Sequence, residues 1–222
     1  MSFLAISAAL FFAANPSPLE QARDRQDPAA LGKLLDAAAA SAEKAPNDAQ
    51  AQYQAALAAS YLAAVHVELH DRKSARAAAE RGIVFAEKSV ALKPDAGEYY
   101  RVLGGLYGQA VTDIVGGLRY GPKAKDAIAK AVEKSPHSSN VYVARGVGNL
   151  YLPAQLGGGA EVAIPDFRKA IEIDPNNAEA WVYLGVALRM DKKEDDARKA
   201  FNKALELNPN RFWVRQLLVK RP

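Results

Sequence analysis

Cysteine is absent from this chain of 222 residues. Disulfides, thiolate metal sites and cysteine nucleophiles are therefore excluded, while the redox compartment stays undetermined. Histidine is scarce, at three residues. Without a G-x-S-x-G turn or a Ser/His/Asp set, the chain lacks the groups that nucleophilic and acid–base catalysis need, so it is expected not to be an enzyme. Long apolar runs are missing as well. The longest covers residues 3–14, too short for an ordinary transmembrane helix, and no stable membrane insertion is expected. β-branched residues are comparatively few and Ala is abundant, which disfavours sheet and favours helix.

No large excess of charge exists either. The net charge is +4, with −1 up to residue 110 and +5 beyond it. The basic residues alternate with acids, as in Asp191-Lys192-Lys193-Glu194-Asp195-Asp196. That is the pattern of a solvated helical face, whereas nucleic-acid binders gather cations on one face among aromatics. No nucleic-acid partner is expected.

Half the residues are hydrophobic, enough for a core. Residues 1–14, MSFLAISAALFFAA, have the apolar run of a secretory signal peptide, which would place residues 15–222 in the periplasm or outside the cell. Against export stand an amino-terminal region without Lys or Arg and Phe12 where a small residue is preferred before the cut. The other reading is an apolar helix packed on the next element, in a cytoplasmic protein.

Internal repetition is the strongest signal. Five similar endings occur at Pro46, Pro94, Pro136, Pro175 and Pro209, spaced 48, 42, 39 and 34 residues apart. Ahead of the last four stand helices expected over residues 74–92, 123–134, 162–173 and 194–207. Phe201 and Ala204 in the last correspond to Phe167 and Ala170, Ile128 and Ala131, and Ala86 and Ser89. The preceding helices align as Tyr100-x2-Leu103-Gly104-x2-Tyr107, Tyr142-x2-Arg145-Gly146-x2-Asn149 and Trp181-x2-Leu184-Gly185-x2-Leu188. Gly185, Ala197 and Ala204 allow two helices to approach closely, and Trp181 and Phe201 fill the space between them.

Over residues 178–211 these features resemble the tetratricopeptide repeat (TPR), with W-x2-L-G-x2-Y, A-x3-F and a closing Pro in 34 residues; Leu188 replaces the Tyr. The resemblance implies an all-α, right-handed superhelical solenoid of antiparallel helix pairs, about four of them, with an extra amino-terminal helix and a capping helix over residues 211–220. The extra residues of the longer repeats are expected late in first helices or in turns. The first helix from residue 49 would run long. Val111-Thr112-Asp113-Ile114-Val115 would extend the next, and residues 116–122 and 152–159 would form Gly-rich loops side by side on one edge.

The implied function is that of a non-catalytic bacterial scaffold holding a protein or peptide partner in its concave groove, with no cofactor. One residue past the packing anchors, the groove lining is expected to be Tyr53, Leu57, Arg101, Asn140, Val143, Val147, Leu150, Val182, Val186 and Arg189. Arg119 and Tyr120 are the candidates on the loop edge. Two other readings stand beside this one. One is a periplasmic ligand-holding component associated with a transporter. The other is a metalloprotein or enzyme using His66 and His70, which an i, i+4 helical spacing would point the same way. No third ligand is evident and no metal is expected. Gly157-Gly158-Gly159 lacks the Lys-Ser/Thr of a phosphate-binding loop, and positive-φ turn geometry explains it.

Overall fold

A computed structural model describes residues 16–219. The apolar run at residues 1–14 and the end of the expected cap at Lys220 lie outside the described residues. Eleven helices follow in order: α1 (Pro18–Asp24), α2 (Pro28–Lys44), α3 (Ala49–Glu68), α4 (Arg72–Leu92), α5 (Gly97–Gln109), α6 (Ile114–Lys134), α7 (Ser139–Tyr151), α8 (Ala160–Ile173), α9 (Ala178–Met190), α10 (Glu194–Leu207) and α11 (Phe212–Val219). Four hairpins, α3/α4, α5/α6, α7/α8 and α9/α10, stack in sequence. Helix α2 packs on α3, and α11 follows α10. The result is the all-α solenoid that the repeats imply.

Helix starts follow from capping. Asp27, Asp48, Asp71, Asp113 and Asn177 each accept a hydrogen bond from a backbone N–H one turn into the next helix, satisfying donors that the helix leaves free. Helix ends follow from the prolines, each in the turn after a second helix.

The hairpins close on glycine. A Cβ on Gly185 would lie 2.5 Å from the Phe201 ring, one on Gly146 2.5 Å from Phe167, and one on Gly104 2.7 Å from Ile128. These are the aligned pairs of three successive repeats. The third repeat departs from the pattern at Arg145 and Asn149 because both bind one buried carboxylate. Asp166 accepts from Arg145 Nε and from Asn149 Nδ2, each at 2.9 Å. A polar lock thus replaces the apolar contact there.

The structure corrects the region between Val111 and Pro122. Helix α5 ends at Gln109, so Val111 to Val115 do not extend it, and residues 116–122 are helix rather than loop. Propensity argues for a loop, since Gly116, Gly117 and Gly121 each cost about 1 kcal/mol in a helix. Tertiary contacts outweigh it. Asp113 caps the helix and pairs with Arg76 at 2.9 Å. Tyr120 is buried, 6.0 Å from the Tyr107 ring, and its hydroxyl donates to Glu80. Pro122 and Leu118 are both exposed, so the Leu118 carbonyl that Pro122 leaves unpaired can take water. The extra residues therefore sit in both helices of the first hairpin and in the second helix of the second, not in first helices and turns alone. Only residues 152–159 form a Gly-rich loop. It contains the 3₁₀ turn Ala154–Leu156 and has Gly157 and Gly159 at φ +85° and +112°.

Candidate binding groove

The first helices α3, α5, α7 and α9 line the inside of the solenoid. The ten expected groove residues divide by contact. Val143, Leu150 and Val182 are buried in interhelical packing and offer no surface. Asn140 accepts from Asn177 Nδ2 at 2.8 Å, tying the third repeat to the fourth. Arg189 donates to both Glu194 carboxylate oxygens and to the Leu217 carbonyl at 2.7 Å, 4.8 Å over the Phe201 ring. It fastens the carboxyl-terminal cap. Tyr53, Leu57, Arg101, Val147 and Val186 keep partial exposure.

Tyr53 and Arg101 belong to one cluster. The Tyr53 ring stacks on Tyr99 at 4.6 Å, and its hydroxyl donates to Glu98, which also receives Arg101 through two nitrogens. Burial and the Glu98 charge push the Tyr53 hydroxyl above the ordinary tyrosine range. Burial opposes the Arg101 charge, and Glu98 more than restores it. Burial raises the Tyr61 pKa, and Arg23, Arg101 and Glu179 all act on it as well.

A seam that the sequence reading missed joins the two ends of the solenoid. Arg211, 2% exposed, binds Glu68 from α3 through two nitrogens and Glu179 from α9 at 2.9 Å. Arg23 reaches Glu179 at 3.5 Å, and Asn208 donates to Asp24 at 2.8 Å. Gln26 adds a hydrogen bond to Glu68. Burial pushes the Glu68 carboxyl up while Arg211 pulls it down. Burial also opposes the Glu179 charge, but Arg211 and Arg23 hold its pKa down at about 2. One signal was available: Glu68 is the only Asp, Glu, Lys or Arg in the twenty residues of α3.

The other candidate sites look different in place. His70 lies beyond the end of α3 with φ +61°, so it does not share a helical face with His66. His66 Nδ1 faces Asp71 at 3.8 Å. On the expected loop edge Arg119 is exposed, whereas Tyr120 is buried. A cavity of about 450 Å³ opens between α4 and α6 over Tyr100, Leu103 and Tyr107. Its rim charges pair with each other, Lys123 with Glu87 and Lys130 with Asp126.

The two exposed-looking arginines should part under mutation. Arg189→Ala is expected to lower stability by about 1–3 kcal/mol, because it frees a carbonyl and a carboxylate at the cap. Arg101→Ala, whose partner is one turn away on its own helix, should stay within roughly 0.5 kcal/mol. Urea titrations that rank the two the other way would reverse their assignment as cap and groove.

Comparison with known proteins agrees with this architecture. A family model described as tetratricopeptide repeat matches residues 178–211. The solved structure of TTC0263, a thermophilic TPR protein of Thermus thermophilus, superposes with a TM-score of 0.63 at 19% identity, covering 89% of this chain and 96% of that one. Curated relatives include human protein O-mannosyl-transferase TMTC3, 32% identical over 88 residues, and yeast Superkiller protein 3, 32% identical over 106 residues. These stretches cover 39% and 48% of this chain, but only 9% and 7% of the relatives' own lengths. Residues 178–211 match the tetratricopeptide repeat, and the described chain as a whole has the TPR-like solenoid fold.

Proposed function

We propose that the protein is a non-catalytic scaffold that holds an extended peptide or a helix of another protein against the inner faces of α3, α5, α7 and α9. The observation that carries this reading is the half-exposed surface formed by Tyr53, Leu57 and the Arg101–Glu98 pair. Its polar groups are satisfied within the first two hairpins, where the Tyr53–Glu98 hydrogen bond ties α3 to α5. Apolar Val147 and Val186 continue it along α7 and α9. A bound segment would set apolar side chains on Leu57, Val147 and Val186, and its polar groups would meet Tyr53 and Arg101.

A photo-crosslinking residue at position 57 tests this in the native host. It should capture a discrete partner that the same residue at Val84, exposed on α4, does not. Arg101→Ala should weaken that capture without changing the melting temperature. Equal capture at positions 57 and 84, or capture at neither, would count against groove binding.

A further inference from the structure

We propose that the first two turns of α6 are a self-association surface, on which the same segment of a second copy packs antiparallel. The surface arises from a step in the solenoid. Helix α6 has 21 residues and α8 has 14, and both end one residue before the turn that carries their closing proline. The extra seven residues carry α6 about 10 Å beyond the start of α8, at 1.5 Å per residue. The next hairpin cannot cover this projection. Ile114, Val115 and Leu118 on it are 84%, 70% and 78% exposed. Large aliphatic side chains standing together without neighbours mark an interaction surface more often than a solvated one.

The arrangement indicates what covers it. Ile114, Gly117, Leu118 and Gly121 follow i, i+3, i+4 and i+7, so they share one helical face. A Cβ on Gly121 would meet nothing within 4 Å, and one on Gly117 would meet only Val111, at 3.8 Å. Among the described residues, then, nothing approaches these two glycines closely enough to need them, although each costs helix stability. A two-fold axis between Gly117 and Leu118 makes the face complementary to itself. Leu118 of one copy then faces Gly117 of the second copy, and Ile114 faces Gly121. Each aliphatic knob meets a position with no side chain, and both ends of the contact repeat by symmetry, as an isologous dimer requires.

Charge agrees with this register. Lys125 continues the face one turn on and has no carboxylate within ion-pair distance among the described residues. Side chains on a helix lean toward its amino terminus, so Lys125 would lean toward the second copy's Asp113, whose carboxylate is half exposed. Two helical turns bury less than the roughly 800 Å² per partner of a stable complex. The dimer is therefore weak and depends on concentration.

Sedimentation velocity on the full chain, from about 10 µM to about 1 mM, tests this in the range expected for a small interface. The sedimentation coefficient should rise with concentration. Leu118→Asp should remove the rise while leaving the circular dichroism unchanged, since the side chain is exposed. The parent chain has no cysteine, so Leu118→Cys gives a second readout. Under mild oxidation it should form a covalent dimer, and Val84→Cys, also exposed, should not. A parent that stays monomeric throughout, or a dimer that survives Leu118→Asp, would overturn the proposal. So would equal cross-linking of the two cysteine variants. Leu118-dependent binding to anionic vesicles without self-association would assign the surface to lipid and equally overturn it.

Discussion

Replacing Phe201 with Ala is expected to cost about 3–5 kcal/mol. The ring is fully buried and fills the space that Gly185 leaves open, with Arg189 against its other face. Removing it leaves a cavity between α9 and α10 that a glycine-lined wall cannot close. Gly185→Ala tests the same contact from the other side, because its Cβ would fall 2.5 Å from the ring. Alone, that change should destabilise by overpacking, on the order of 1–3 kcal/mol. Combined with Phe201→Ala it should cost much less, since the clash disappears with the ring. Residues in contact depart from additivity in this way. Urea titrations of the parent, both single variants and the double variant measure it. Additive effects would mean that Gly185 and Phe201 do not share one packing site.

That contact shows why so much of the fold was legible in the sequence. Gly104, Gly146 and Gly185 recur at one place in each repeat, and the side chains facing them recur in the second helices. Close approach demands a small residue opposite a large one, and such a pair leaves a mark whenever the contact is repeated. The helix over residues 116–122 left no comparable mark. Its local composition, three glycines and a proline, argues for a loop. The contacts that settle it, Tyr120 on Tyr107 and Asp113 with Arg76, occur only once and span different helices. The polar lock at Asp166 has the same character. Arg145 and Asn149 stand out as departures from a pattern, but their shared acceptor lies on the next helix and has no counterpart in other repeats.

The groove was less legible for a geometric reason. Stepping one residue past each packing anchor selects the concave side of an isolated hairpin. In the stacked solenoid that side is also where neighbouring first helices touch. Val143, Leu150 and Val182 therefore pack, Asn140 bridges repeats, and Arg189 reaches the cap. Tyr53, Leu57 and Arg101 keep part of their surface even though Tyr53 stacks on Tyr99 of the next first helix. Periodicity places a residue on a helix face, but the superhelical path decides whether that face stays open.

Arg211→Ala is expected to cost about 3–5 kcal/mol, the usual penalty for breaking a buried ion pair from one side. The change would strand Glu68, 9% exposed, with only Gln26 to bond it, and would take from Glu179 the nearer of its two cations. Glu68→Gln in the Arg211→Ala background should restore part of the loss, because a neutral amide is cheaper to bury than an unpaired carboxylate. Acid offers a separate test through Glu179. Its folded pKa, about 2, lies below the ordinary 4.5. A depressed carboxyl contributes stability that is fully present above about pH 4.5 and is lost as the pH falls toward 2. Glu68, raised by burial, acts in the opposite sense and blunts the slope without reversing the part that belongs to Glu179. Glu179→Gln should therefore lower the melting temperature clearly at pH 7, less at pH 3, and leave it close to the parent's near pH 2. Because the seam joins α1 and α3 to α9 and the turn between α10 and α11, its loss should also raise amide exchange in α1 and α11 before the hairpin cores between them. A variant pair whose difference in melting temperature is the same at pH 7 and near pH 2 would show that Glu179 carries no net pairing energy. The seam would then hold through Glu68 and Asp24 alone.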